Sequence, residues 1–199
     1  MRFTSTLTLS LGLCFAAIAA PAADMAAWTV DNARSQLSFV SVKAGDVAEV
    51  HTFDRLSGTV QADGGVEVRI ELASVDTLIP IRDERIREVL FETVRFPTAS
   101  LIGRVELDAL LALAPGEVAS LRMEGQLLIK DQSLAVTLDL LAARLSDDTM
   151  LVSSRKPVVV NAASVGLADG VEKLREIAGL PSISKAVPVS FVLVFGKNG

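Results

Sequence analysis

Apolar and polar residues alternate along several short stretches of this chain, and this alternation constrains the fold more than any other feature. In Val66–Leu72 every second residue is apolar and the residues between are charged. The same period of two recurs in Leu121–Glu124 and in Leu134–Leu140. Because the side chains of a β-strand point alternately to its two faces, each stretch predicts a strand with one buried and one solvated face.

Further strands and short turns complete the pattern. Strands are also predicted over residues 35–43, 48–62, 101–108, 150–160 and 187–195. Residues 62–65, 130–133 and 146–148 are rich in Asp, Ser and Gly and predict hairpin turns. About eight strands with short connections predict an all-β fold in which one antiparallel sheet closes into a barrel, because closure removes exposed strand edges. A two-sheet sandwich is the alternative architecture.

Two amphipathic helices are predicted among the strands. Over residues 82–91 an apolar stripe faces one way and charged side chains face the other, with Asp83 and Arg87 spaced to form an ion pair. The second helix has Asp169 as its predicted N-cap and ends before Gly179. The charged residues of the first helix are therefore interpreted mainly as a solvated face.

The N-terminus predicts export. Residues 1–22 combine an apolar run, Leu7–Ala20, with small residues at the predicted cleavage site after Ala22. This predicts a signal peptide followed by one domain over residues 23–199; an uncleaved membrane anchor is the alternative. Cys14 is the only cysteine, so the exported chain is predicted to contain no disulfide.

Charge and composition exclude several classes of function. The formal net charge is −5, and an acidic surface repels phosphate backbones, so nucleic acid is not an expected partner. No later apolar run is long enough to span a membrane. The single histidine, the lack of cysteine after residue 14 and the absence of a glycine-rich phosphate motif predict neither a metal site nor a cofactor.

Two side chains are candidates for chemistry. His51 could act as a base beside Asp54, but neighbours at this spacing on a strand point to opposite faces, which favours a structural histidine. Arg82 lies at the apolar edge of the first predicted helix. It could pair with a local carboxylate such as Asp76, or it could hold a polar head group through paired hydrogen bonds.

Several short motifs occur in a distinctive order. They are Trp28–Asp31, Phe53 with Ser57 and Gly58, Ala73–Thr77, Ile81–Arg85, Leu90-Phe91, Phe96-Pro97 and Gly125–Lys130. In their order and spacing, over residues 28 to 196, these motifs resemble the YceI-like family of exported lipid- and polyisoprenoid-binding proteins.

The resemblance implies a lipocalin-like barrel of eight antiparallel strands with two short accessory helices. It implies a periplasmic protein without enzymatic activity that binds or carries an amphiphilic lipid, such as a polyisoprenoid or a quinone-like molecule. The long apolar tail would lie in the barrel interior, although an ordinary packed core is the alternative. The candidate tail contacts are Phe39, Phe53, Val68, Ile70, Leu127, Val136, Leu138, Phe191 and Leu193, and the candidate head-group contacts are Arg82, Asp83 and His51.

One stretch departs from the family pattern. Family members often carry an arginine shortly before an aromatic-glycine pair near the C-terminus. Here Val165 occupies the aromatic position, and no arginine lies nearby after Lys156. This departure leaves open whether the ligand is a prenyl pyrophosphate.

Two other classes of function remain open from the sequence. One is an enzyme that acts on a lipid-like substrate and uses His51, Asp83 or Glu84 as acid or base. The other is a structural module that forms a homodimer through its last strand, Val187–Phe195, which is apolar on both faces for much of its length.

Overall fold

Antiparallel pairing connects all the strands within the described part of the chain. The structure is a computed structural model that describes residues 26–197, so the predicted signal peptide lies outside the described residues. The strands are β1 Ala26–Val30, β2 Gln36–Lys43, β3 Val47–Phe53, β4 Leu56–Gln61, β5 Gly65–Glu71, β6 Val75–Asp76, β7 Thr98–Arg104, β8 Val118–Ile129, β9 Gln132–Ser146, β10 Thr149–Ser154, β11 Val158–Asn161 and β12 Ala186–Lys197.

The sheet closes on itself through its last strand. One edge of β12 pairs with β10 and β11, and the other edge pairs with β1 and β2. Four positions around the ring are each shared by two consecutive strands: β1 and β2, β3 and β4, β5 and β6, β10 and β11. With β7, β8, β9 and β12 they form a closed antiparallel barrel of eight strand positions, which confirms the predicted fold class.

Three predicted strand boundaries are wrong in detail. The strand predicted over residues 48–62 breaks after Phe53, because the backbone N–H of Arg55 donates to the hydroxyl of Ser74. The strand predicted over residues 101–108 ends at Arg104 and is followed by a short helix, α2 Leu107–Leu111. The strand predicted over residues 150–160 is broken between β10 and β11.

The first predicted helix is divided into two kinds of helix. α1 spans Pro80–Arg85, and a π-helical segment, Ile86–Phe91, continues from it. The predicted Asp83–Arg87 ion pair does not form, because Asp83 is buried and accepts hydrogen bonds from the preceding loop.

The second predicted helix is α3 Ala168–Ile177. Its N-cap is Leu167, and the predicted N-cap at Asp169 is wrong because the helix begins before that residue. Leu167 and Val171 are both buried, so packing against the barrel sets the start of this helix.

Helices cover both ends of the barrel. At one end α2 buries Leu107 and Leu110 near Trp28, and the guanidinium of Arg144 lies 5.4 Å from the Trp28 ring. At the other end the π-helical segment, α3 and a 3-10 helix, Ala162–Val165, turn apolar side chains inward.

We predict that the close approach of β4 and β5 requires Gly58. A Cβ atom at this position would lie 2.7 Å from the carbonyl oxygen of Glu67 on the neighbouring strand. Gly58→Ala should therefore lower the free energy of unfolding by about 1–3 kcal/mol, measured by chemical denaturation. Gly196→Ala is the matched strand control, because a Cβ atom there meets nothing within 4 Å. Equal stability of the two variants would contradict this prediction.

Candidate functional site

An unfilled cavity of about 200 Å³ lies inside the barrel. Every residue that lines it is apolar. The structure places all nine of the predicted interior residues on its wall: Phe39, Phe53, Val68, Ile70, Leu127, Val136, Leu138, Phe191 and Leu193. They meet there because alternate residues of adjacent strands point to the same side of the closed sheet.

The apolar lining continues toward the end covered by α2. A second, smaller space of about 60 Å³ lies there, again with an entirely apolar lining that includes Trp28 and Met150. The two spaces share the wall residues Val68, Leu101, Leu138, Phe191 and Leu193. The interior therefore presents hydrocarbon along most of the barrel.

The covering helices supply cavity residues that the sequence analysis did not identify as site residues. Leu90 and Phe91 reach the larger cavity from the π-helical segment. Val165, Leu167 and Val171 reach it at the same end of the barrel from the 3-10 helix and α3, with Val165 fully buried. The apolar stripes of the two predicted helices were the available signal, because an amphipathic helix on a barrel must bury that stripe.

A line of rings connects the cavity to a polar region. Phe91 in the π-helical segment lies 5.8 Å from Phe53 between ring centroids, and Phe53 lies 5.4 Å from Phe39. Phe39 in turn lies 5.2 Å from the ring of His51. The candidate head-group residue His51 is therefore next to the wall of the apolar cavity.

His51 is buried, with 4% of its surface exposed. Its Nε2 atom lies 2.9 Å from the hydroxyl oxygen of Ser41, and its buried Nδ1 atom has no hydrogen-bond partner among the described residues. Burial lowers the pKa of His51 below its usual 6.5, and the positive charge of Arg82 lowers it further. His51 is therefore neutral near pH 7.

Glu49 is the centre of the charged part of this region. Lys43 Nζ lies 2.7 Å from Glu49 Oε2, and Arg82 Nη1 lies 2.8 Å from the same oxygen. The hydrogen bond from Lys43 and the charges of both cations hold the pKa of Glu49 below its usual value. Arg82 thus pairs with a carboxylate, as one of its two alternatives held, but the partner is Glu49 and not the suggested Asp76, which accepts from the backbone N–H of Leu78.

Thr77 links α1 to this cluster. Its carbonyl oxygen accepts a 2.6 Å hydrogen bond from Arg82 Nη2. Its backbone N–H and its hydroxyl donate to Asp83 Oδ1 over 2.9 and 2.5 Å. Asp83 thus fixes the loop that positions Arg82. The hydrogen bonds from Thr77 occupy the Oδ1 atom of Asp83.

The polar cluster, defined here as Ser41, Lys43, Glu49, His51, Thr77, Arg82 and Asp83, includes four residues that the sequence analysis missed. Ser41 and Lys43 are two and four residues after Phe39, so the strand period places them on the inward face. Glu49 is two residues before His51 and shares its face for the same reason. The strand alternation could have identified these three, whereas nothing in the local sequence marks Thr77.

The comparisons with known proteins agree with this architecture. A family model described as a YceI-like domain matches residues 28–195. The chain belongs to the YceI-like family. A search of curated protein sequences found no match.

Solved structures show the same YceI-like fold. A polyisoprenoid binding domain from Saccharophagus degradans, implicated in plant cell wall breakdown, is 36% identical with a TM-score of 0.86, over 87% of this chain and 100% of that chain. BcnA of Burkholderia cenocepacia is 23% identical with a TM-score of 0.63, over 83% of this chain and 98% of that one. The YCEI protein of Campylobacter jejuni is 15% identical with a TM-score of 0.53, over 75% and 84% of the two chains.

In this YceI-like chain the site has the geometry of a binding pocket. Ser41 and His51 are within hydrogen-bond distance, but no carboxylate orients the other nitrogen of the ring, as a nucleophile and base pair requires. Within residues 26–197, no group of three or more His, Cys, Asp and Glu side chains could hold a metal ion. No helix in this part of the chain is both long and apolar enough to cross a bilayer.

We predict that His51 makes stability depend on pH. Its pKa is lowered in the folded state, so the unfolded chain binds the proton more readily as the pH falls from 6.5 through the folded-state value. The free energy of unfolding should decrease over this interval and should change less in His51→Gln. Glu49 loses its contribution only below its usual 4.5, at lower pH.

The protein contains a single histidine, so an NMR titration can assign this pKa directly. A midpoint at or above 6.5, or an unchanged pH profile in His51→Gln, would contradict the prediction.

We also predict that Asp83 stabilises the fold. Asp83→Ala leaves the buried backbone N–H of Thr77 without its acceptor and leaves the Thr77 hydroxyl only its 3.5 Å contact with the carbonyl oxygen of Ile79, which should cost about 1–3 kcal/mol in chemical denaturation. Glu84→Ala removes an exposed carboxylate from the adjacent position and should change stability by less than about 0.5 kcal/mol. Equal destabilisation by the two substitutions would show that the Asp83–Thr77 hydrogen bonds do not contribute to the free energy of unfolding.

Proposed function

We propose that the protein binds an amphiphilic lipid with a long apolar tail and carries it through the periplasm. The observation that supports this most directly is the unfilled, wholly apolar cavity. An apolar cavity of about 150 Å³ stays dry and accepts a small hydrocarbon such as benzene. Each CH₂ group that leaves water contributes roughly 0.8 kcal/mol, so a tail gains affinity with few polar contacts.

The polar cluster favours an uncharged head group. Its two cations, Lys43 and Arg82, are balanced by the carboxylates of Glu49 and Asp83, and its histidine is neutral. His51 Nδ1 and Arg82 Nε are buried without hydrogen-bond partners among the described residues. A hydroxyl or a quinone carbonyl could pair with such atoms, whereas a pyrophosphate would need an excess of positive charge.

Relatedness supports the same class of ligand. The relative from Saccharophagus degradans is described as a polyisoprenoid binding domain. Family membership and the predicted signal peptide support the periplasmic location. A polyprenol or a quinone-like lipid therefore combines the expected tail with an uncharged head.

Native mass spectrometry of protein purified from its own host tests the proposal. We expect a bound lipid mass that disappears in Ile70→Trp, because the larger side chain occupies the cavity. Ile102→Trp is the matched control, since Ile102 lies on the outer face of β7 with 42% of its surface exposed. This control should retain the lipid. Thermal unfolding should show that both variants fold.

Other outcomes separate the alternative functions. A lipid mass that persists in Ile70→Trp would contradict binding in the cavity. Turnover of a lipid-like substrate that is lost in His51→Ala would favour an enzyme. An empty dimer would favour the structural module and its predicted interface on β12, where Val192 is 40% exposed but Val194 is only 4% exposed.

A further inference from the structure

The wall of the barrel is interrupted between β9 and β11. The ladder between β9 and β10 ends at Leu140 and Ser154, followed by one backbone hydrogen bond of 2.9 Å from Arg155 N–H to Asp139 O. Beyond this point β11 pairs with β12 and with no other strand of the described chain. The first half of β9 is therefore paired only with β8.

The sequence between β10 and β11 causes this interruption. Ser153 pairs with Val192 of β12, and the first pair of β11 is Val158 with Val189. Between these two pairs lie four residues of one strand, 154–157, and only two of the other, 190–191, so the two extra residues form a bulge. Pro157 lacks the N–H needed to continue a ladder, so β11 diverges from β9 after the bulge.

A gap of about 350 Å³ lies between the separated strands. Consecutive residues of β9, from Leu134 to Thr137, all line it, and so do Val158 and Val159 of β11. Neighbouring residues of a strand point to opposite faces, so a groove on the outer surface would be lined by alternate residues only. The gap therefore reaches both faces of the wall.

The gap adjoins the interior cavity. Val136 and Val158 line both spaces, so these two side chains stand between the gap and the cavity. Both valines are only partly buried although they point inward. On the outside, the edge of the gap is polar: Lys156 Nζ lies 2.6 Å from Asp139, and Arg122 lies 3.1 Å from the same carboxylate.

We propose that this gap is a side portal through which the apolar tail of the ligand passes between the surroundings and the interior cavity. The inference rests on the proposed function. Helices cover both ends of the barrel, so entry there requires a helix to move, whereas entry through the gap requires the side chains of Val136 and Val158 to move. The polar rim on the outer surface suits the head group of an amphiphile, and Val136 and Val158 on the inner side suit its apolar tail.

Site-specific labelling tests the portal. In a Cys14→Ser background, Val159→Cys carries the only thiol, at an exposed position on the gap. A bulky maleimide attached after folding obstructs the gap without affecting folding. Val118→Cys is the matched control, because Val118 is 55% exposed on β8 and Val159 is 63% exposed. The probe is geranylgeraniol with a dansyl group, and stopped-flow fluorescence measures its association and release.

A label that obstructs the route slows both entry and exit of the probe. It does not change the free energies of the free protein and of the complex. We expect the label at residue 159 to slow both rates by about tenfold or more and to leave the Kd within about twofold. Rates equal to those of the labelled control would overturn the portal, as would a weaker Kd with faster release, which indicates a contact and not a route. If the unlabelled protein fails to bind the probe, the proposed function itself fails.

Discussion

The open interior is a consequence of closing eight strand positions into one ring. Hydrogen bonding between the strands sets the circumference of such a ring. Side chains of ordinary size only just fill the interior that it encloses. Valine, leucine and alanine at many inward positions leave about 200 Å³ unfilled. The side chains that line this unfilled space lack dispersion contacts on one side, which lowers the free energy of unfolding. A tail that fills the cavity would recover part of this free energy.

The contacts of the polar cluster join α1 to the barrel beside the apolar cavity. Arg82 attaches α1 to the β2–β3 hairpin through Glu49, and Asp83 fixes the loop before α1 through Thr77. Both cations of the cluster pair with Glu49, and the buried carboxylate of Asp83 accepts two hydrogen bonds from Thr77, as charges away from water require. They also leave His51 Nδ1 and Arg82 Nε without hydrogen-bond partners among the described residues, and the His51 ring lies 5.2 Å from that of Phe39 on the cavity wall. A head group that pairs with those atoms would stabilise the site without adding charge.

The interruption beside β11 shows how a closed barrel can retain an unpaired edge. A free edge usually invites pairing with another chain, and charged residues and proline oppose that pairing. Lys156 and Pro157 lie at the start of this edge, and the ion pair of Lys156 with Asp139 ties it to β9. The same residues therefore produce the gap and limit its extent.

The sequence by itself determined the strands, the hairpin turns and the inward-facing set that includes Phe39 and Leu138, because a strand repeats every two residues whatever surrounds it. It also placed Arg82 at an apolar edge. Only the tertiary structure decided that Arg82 pairs with Glu49, 33 residues earlier, and that β11 separates from β9. It also decided that the inward side chains leave a cavity. These outcomes depend on distances across the ring and between elements, and a local period carries no information about such distances.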